Sequence, residues 1–299
     1  MSTSNSQLAV SSKDYAAIEE GWTVVDGVRT RYLRAGSGPP LVLLHGLLGY
    51  SFSWRFTIPV LARQATIIAV DMPGAGFSER SAHLDCGFRG SAGRLLFFLS
   101  QIGVSSFDLL GTSHGGSVAM MAAAIARQSS AQQVRRLILV APVNPWSNYG
   151  RRRILLLSRP SLAALFRHLA PAMTFAHSFL LRRLYGDPNR IPPGTLEGYS
   201  KPFACPNSVD YALRILSTWN GDLQDLEATI AQIADIPTLV IWGNRDVAVD
   251  PASAEILRSR FNDCRLVMLE GVGHLPYEES PEDFNRIVVD FLQSSPQQH

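Results

Sequence analysis

Short strand-like runs, several of them continuously apolar, recur along the chain: Leu41–Leu44, Thr66–Val70, Phe107–Leu110, Arg136–Val140, Thr238–Trp242 and Arg265–Leu269. Several are rich in Val, Ile and Leu, which is how strands buried on both faces of a parallel sheet read. Thr23–Val25 and Arg29–Arg34 precede them as further strand-like runs. Helix-like runs sit between the later strands: Gly90–Ile102, His114–Arg127, Ser253–Arg260 and Glu282–Gln293. This alternation predicts an α/β protein with a mostly parallel eight-stranded sheet, helices on both faces and right-handed crossovers.

In such sheets ligands bind at the carboxyl ends of the strands. His45, Asp71, Ser113, Asp246 and His274 each follow a predicted strand, so the pattern gathers them on one edge. About a hundred residues separate Arg136–Val140 from Thr238–Trp242, more than one crossover needs. The excess, residues 144–222, is expected to be a mostly helical cap over that edge. The core is then 21–143 and 223–295, and residues 1–20 are expected to be disordered.

Gly111-Thr112-Ser113-His114-Gly115 joins a strand-like run to a run of small residues. A G-x-S-x-G in the context strand, sharp turn, helix presents a serine hydroxyl to both a substrate carbonyl and a base. By itself the pattern recurs by chance, so the rest of the machinery decides. Asp246 and His274 follow in the order Ser, Asp, His. Ser113 is the expected nucleophile and His274 its general base. Asp246 would hold the imidazole in its productive tautomer. Asp222, Asp225 and Asp250 compete with Asp246, and His45, His114, His83, His168 and His177 compete with His274. Asn144 stands after the sixth predicted strand and cannot ionise.

These residues give the chain a resemblance to the α/β-hydrolase superfamily from about Trp22 onward. The turns that carry it are His45-Gly46, Asp71-Met72-Pro73-Gly74-Ala75-Gly76-Phe77-Ser78, the serine turn, Asp246 and His274-Leu275-Pro276. The resemblance implies an oxyanion hole formed by the backbone N–H groups of Leu47 and His114. The stretch His45 to Arg55 is similar to the corresponding loop of haloalkane dehalogenases and epoxide hydrolases. Those families attack with a carboxylate where this chain has Ser113, so neither activity is expected. The Asp71–Gly76 segment reads as a tight turn rather than a dinucleotide loop, since Glu79 stands where a third glycine would be.

The expected activity is hydrolysis of a carboxylic ester through an acyl-enzyme, with an apolar acyl or alkyl group under an apolar cap. Carbon–carbon bond hydrolysis, thioester or lactone hydrolysis, perhydrolysis and slow-turnover ligand reception use the same triad and stay open. Tyr50, Trp54, Trp146, Met173, Phe175 and Trp219 are the candidate lining residues. Aromatic and Met side chains in such segments are more often plain core.

Composition narrows the rest. A chain of 299 residues, 46% hydrophobic and 17% charged, suits one large domain with an inserted cap. Its net charge of +2 does not point to nucleic acid. Lys13 and Lys201 are the only lysines, so arginine carries the positive charge. Cys86, Cys205 and Cys264 are scattered, which predicts no disulfide framework or zinc site and a reducing, cytoplasmic setting. The segment Met1–Val10 lacks the basic and apolar regions of a secretory signal. No apolar stretch reaches membrane-spanning length. No metal or nucleotide motif occurs, and no cofactor is expected. The arginine-rich, apolar cap admits a lid on a lipid surface or an ordinary cover for an apolar pocket, and the second reading is the simpler.

Overall fold

A computed structural model describes residues 17–129, 131–149 and 174–294, apart from the side chains of 174–178, 203 and 204. The eight strands are β1 (Glu19–Val25), β2 (Val28–Ala35), β3 (Pro40–Leu44), β4 (Thr66–Val70), β5 (Ser106–Thr112), β6 (Gln133–Val140), β7 (Thr238–Gly243) and β8 (Cys264–Leu269). They form one sheet in the order β1-β2-β4-β3-β5-β6-β7-β8. β2 runs antiparallel to β1 and β4, and β4, β3 and β5 to β8 are mutually parallel. The described helices are α1 (Ile58–Leu61), α2 (Phe88–Gln101), α3 (His114–Arg127), α4 (Thr174–Leu184), α5 (Thr195–Ser200), α6 (Ser208–Thr229), α7 (Ser253–Arg258), α8 (Pro276–Glu279) and α9 (Pro281–Gln293).

The apolar runs are continuous because both faces of the sheet are covered. Along β3, Val42 and Leu44 belong to one core with α2 and α3, while Leu41 and Leu43 belong to the other with α9. That division follows the two-residue period of a strand. The amphipathic α9 begins with Pro281 and carries Glu282 and Asp283 in its first turn, both favourable at a helix N-terminus. It buries Phe284, Ile287 and Val288, each contributing about 1.5–3 kcal/mol. Arg136 donates to the carbonyls of Leu292 and Ser294 at its other end.

Register aligns the carboxyl ends of the central strands. Leu44 pairs with Val70 and Gly111, Thr112 with Val140, Val140 with Ile241, and Gly243 with Leu269. His45, Asp71, Ser113, Asp246 and His274 therefore emerge along one edge, as their positions after strands predict.

Two expected boundaries move. β1 starts at Glu19, inside the segment expected to lack structure, because Glu20 pairs with Arg31 of β2 and accepts from Trp22 Nε1. Residues 1–16 lie outside the described residues. The boundary expected at 222–223 lies inside α6, which runs unbroken from Ser208 to Thr229. Tyr211, Ile215, Trp219, Leu223 and Leu226 form one stripe at helical spacing, so a single helix links the small apolar cluster of Val28, Leu84 and Cys86 to the main core. No helix among the described residues is long and apolar enough to cross a membrane.

Candidate active site

Ser113 sits between β5 and α3 at φ 52°, ψ −122°. A serine pays strain there, of order 1–3 kcal/mol, and surrounding contacts must hold it. The two glycines of the motif make the turn possible by letting backbones touch. A Cβ on Gly111 would lie 2.4 Å from the Gly115 carbonyl oxygen, and one on Gly115 would lie 2.4 Å from the His45 oxygen. The Ser113 carbonyl accepts from Gly116 N at 3.0 Å and Val143 N at 3.1 Å, while its own N–H reaches Val140 O at 2.9 Å.

His274 follows β8 and is buried. Its Nδ1 lies 2.7 Å from Asp246 Oδ2. Asp246 follows β7, and its fully buried carboxylate has a complete set of donors. Oδ1 accepts from Ala248 N (2.7 Å) and Val249 N (3.0 Å), and Oδ2 also accepts from Trp242 Nε1 (3.1 Å). Asp246, rather than Asp222, Asp225 or Asp250, is therefore the acid at His274. Asp225 is on α6, paired with Arg89. Ser113 and His274 face the same cavity of about 280 Å³.

Gly46 passes close to the serine: a Cβ built there would be 3.1 Å from Ser113 Cβ. This brings the start of the Leu47 loop beside the nucleophile position, while His114 N–H belongs to the first turn of α3, where helices leave donors free. The loop is shaped by His45. Its Nε2 accepts from Met72 N at 3.1 Å, so Nδ1–H is assigned as the donor to Gly46 O at 2.8 Å. Burial lowers the His45 pKa and keeps this ring neutral. His114 is the other fully buried imidazole. Burial first, and His45 second, push its pKa down to about 3. Its ring lies between Phe88 and Trp219. His83 is exposed, and His168 and the His177 side chain lie outside the described residues.

The Asp71 turn is structural, as expected. Its carboxylate accepts from Ser51 N (2.7 Å), Phe77 N (3.0 Å) and Arg31 (3.1 Å). Among the described residues no group of three His, Cys, Asp or Glu side chains is placed to hold a metal.

The lining residues differ from the aromatic expectation. Trp219 is on the cavity wall. Tyr50 is not: it donates to Gly198 O at 2.8 Å and stacks on Phe52. Trp54 is wholly buried against Tyr277, beneath the site. Trp146 packs on the core with Arg260 over its ring. Met173 and the Phe175 side chain lie outside the described residues. The wall is instead mostly aliphatic, with Leu180, Leu181 and Leu184 from α4, Leu223 from α6, and Val249. Tyr149, Tyr199 and Tyr277 also line it, and none of these rings was expected there from the sequence.

Sequence reasoning also passed over two buried acids just after His274. Glu278 accepts both Arg55 nitrogens at 2.5 Å, Tyr199 Oη at 2.7 Å and Tyr185 Oη at 3.3 Å. Glu279 accepts three backbone N–H groups, from Gly186, Asp187 and Gly273, each at 2.8 Å. Consecutive acids at a helix start ordinarily read as a solvated first turn, so the sequence carried no signal for either.

Comparison with known proteins gives a consistent frame. The family model described as alpha/beta hydrolase fold matches residues 39–281. An uncharacterized protein of Mycobacterium tuberculosis is 27% identical over 293 residues, covering 95% of this chain and 84% of that protein. Monoacylglycerol lipase ABHD6 of Rattus norvegicus is 28% identical over 265 residues, covering 87% of this chain and 77% of the lipase. Among solved structures, epoxide hydrolase CorEH superimposes with a TM-score of 0.80 at 24% identity, covering 92% of this chain and 99% of that one.

Proposed function

The chain belongs to the α/β-hydrolase fold family, and from that premise we propose that it hydrolyses carboxylic esters with an apolar acyl or alkyl group, by an acyl-enzyme mechanism. The observation that carries the reading is the line from Asp246 to His274, ending at a cavity that Ser113 shares. The likeness to a monoacylglycerol lipase supports an ester-like substrate.

In the proposed reaction Ser113 Oγ attacks the carbonyl carbon as its proton passes to His274 Nε2. Asp246 stabilises the imidazolium through Nδ1–H. The oxyanion is received by the N–H groups of Leu47 and His114. Collapse breaks the bond to the alcohol oxygen, which takes the proton from His274 and leaves. Water then attacks the acyl-enzyme, gives its proton to His274, and the returned proton restores Ser113. The mostly aliphatic walls would hold the chain, and about 280 Å³ is near the lower end of ligand-pocket sizes, which favours short to medium chains. A serine at the elbow disfavours epoxide opening, which in the related families uses a carboxylate there.

The test is steady-state hydrolysis of p-nitrophenyl esters from acetate to palmitate, with Ser113→Ala in parallel. Sustained turnover that the substitution abolishes supports the reading. A single burst, or none, transfers the case to carbon–carbon cleavage, a specialised acyl group or ligand reception.

A further inference from the structure

The loop that carries His274 is fastened to the cap segment that follows α4. His274 N donates to Leu184 O at 2.7 Å. The preceding residue, Gly273, donates to Glu279 Oε2, which also receives Gly186 N, while Glu279 Oε1 receives Asp187 N. The two backbones are in direct contact. A Cβ on Gly273 would lie 2.2 Å from Leu184 O and 2.5 Å from Gly186 N, and one on Gly186 would lie 2.5 Å from Gly271 O. The Glu279 side chain is fully buried, and the nearest cation among the described residues is Arg190 Nη1 at 3.8 Å. Its charge is thus held chiefly by three charge-assisted backbone bonds, which are short and strong when desolvated.

The same cap segment forms the substrate wall. Leu184, the first residue of the fastened stretch 184–187, faces the cavity, as do Leu180 and Leu181 about one turn before it. One carboxylate therefore spans the wall that would hold the substrate and the loop that holds the base. We propose that Glu279 is a positioning residue: it locks the His274 loop and the 184–187 segment into a single frame, so that the imidazole and the bound chain keep a fixed relation. This rests on the proposed role of His274 as the base.

The experiment uses Glu279→Ala and Glu279→Gln in the full chain, with two readouts. The first is the low-field ¹H NMR signal of His274 Nδ1–H, assigned by its loss in Asp246→Asn. The second is kcat and KM across the ester series, per mole of folded protein. In Glu279→Ala the signal is expected to broaden or vanish and kcat to fall about 10- to 100-fold, with KM within about threefold, since a misplaced group costs that much. Glu279→Gln keeps one acceptor oxygen and should lie between, with kcat at least about threefold down. Retention of the signal and of kcat within about twofold in both variants, whatever their melting temperatures, overturns the proposal. If Glu279→Ala fails to fold, Glu279→Gln decides by the same criteria. Wild-type protein without ester turnover would defeat the proposed reaction, while the NMR signal would still decide the role of Glu279.

Discussion

Trp242 and His274 share one oxygen. The indole Nε1 and the imidazole Nδ1 both reach Asp246 Oδ2, at 3.1 and 2.7 Å, from a strand and from a loop 28 residues past the acid. Both are donors, so the arrangement requires a carboxylate. Asp246→Asn would present an amide NH₂ to one side of this site and disturb the tautomer of His274. Turnover of the best ester is expected to fall by about 10⁴-fold with the fold retained. Comparable kcat in the variant would remove Asp246 from the proposed mechanism.

The serine turn depends on contact between main chains. Gly115→Ala places a methyl group against the His45 carbonyl oxygen, at 2.4 Å before any shift. The β3 and β5 ends cannot separate without breaking their pairing. The substitution should destabilise the protein by about 3 kcal/mol or more, read as a lowered denaturant midpoint. An unchanged midpoint would show that the turn has room the structure does not provide.

His114 gives the protein an acid liability. Its folded pKa, about 3, lies below the ordinary histidine value, so the unfolded chain binds a proton that the folded chain refuses. Stability from this group is complete above about pH 6.5 and declines as pH falls toward 3. Between pH 6.5 and 4.5 the loss is on the order of 2–3 kcal/mol. His45 is shifted in the same direction by burial. His114→Phe, between Phe88 and Trp219, should lose less stability than wild type over that interval. Equal losses in urea titrations at the two pH values would contradict the buried neutral ring.

Arg55 and Glu278 join the loop after β3 to the turn after His274. Arg55 Nη2 also donates to Thr195 Oγ1 at 2.7 Å, and the guanidinium lies over Phe52. Removing one member strands the other, whose side chain is 20% exposed for Arg55 and 0% for Glu278. Glu278→Ala is expected to cost about 3–5 kcal/mol. Arg55→Met together with Glu278→Leu should cost less than the sum of the two single changes. Additive losses in a double-mutant cycle would show that the pair does not couple.

Trp219 is the aromatic residue on the cavity wall among the tryptophans singled out from sequence. Trp219→Ala enlarges the cavity beside α6. The ester chain-length optimum should move to longer acyl groups, with kcat/KM for the shortest ester reduced. An unmoved optimum would place the chain on the α4 side instead.

The sheet was legible because burial on both faces writes itself as unbroken Val, Ile and Leu, as in Leu41–Leu44 and Thr238–Trp242. The clustering of Ser113, Asp246 and His274 on one edge followed from their places after strands. Trp54 and Trp146 were misplaced on the wall because composition does not say whether a ring faces a cavity or fills a core. Glu278 and Glu279 were invisible for a different reason. Arg55 and Tyr199, which hold Glu278, and Gly186 and Asp187, which donate to Glu279, are distant in sequence, and the backbone donors of Glu279 leave no side-chain partner to find.

At the elbow, Gly111 and Gly115 determine where residue 113 stands, and neither contact involves the serine hydroxyl. The placement of residue 113 is therefore a property of the main chain. Ser113→Cys would mount a thiol on the same bracket, leaving the sheet and His274 as they were. In the proposed reaction the attacking atom is an exchangeable part, and the scaffold is the fixed one.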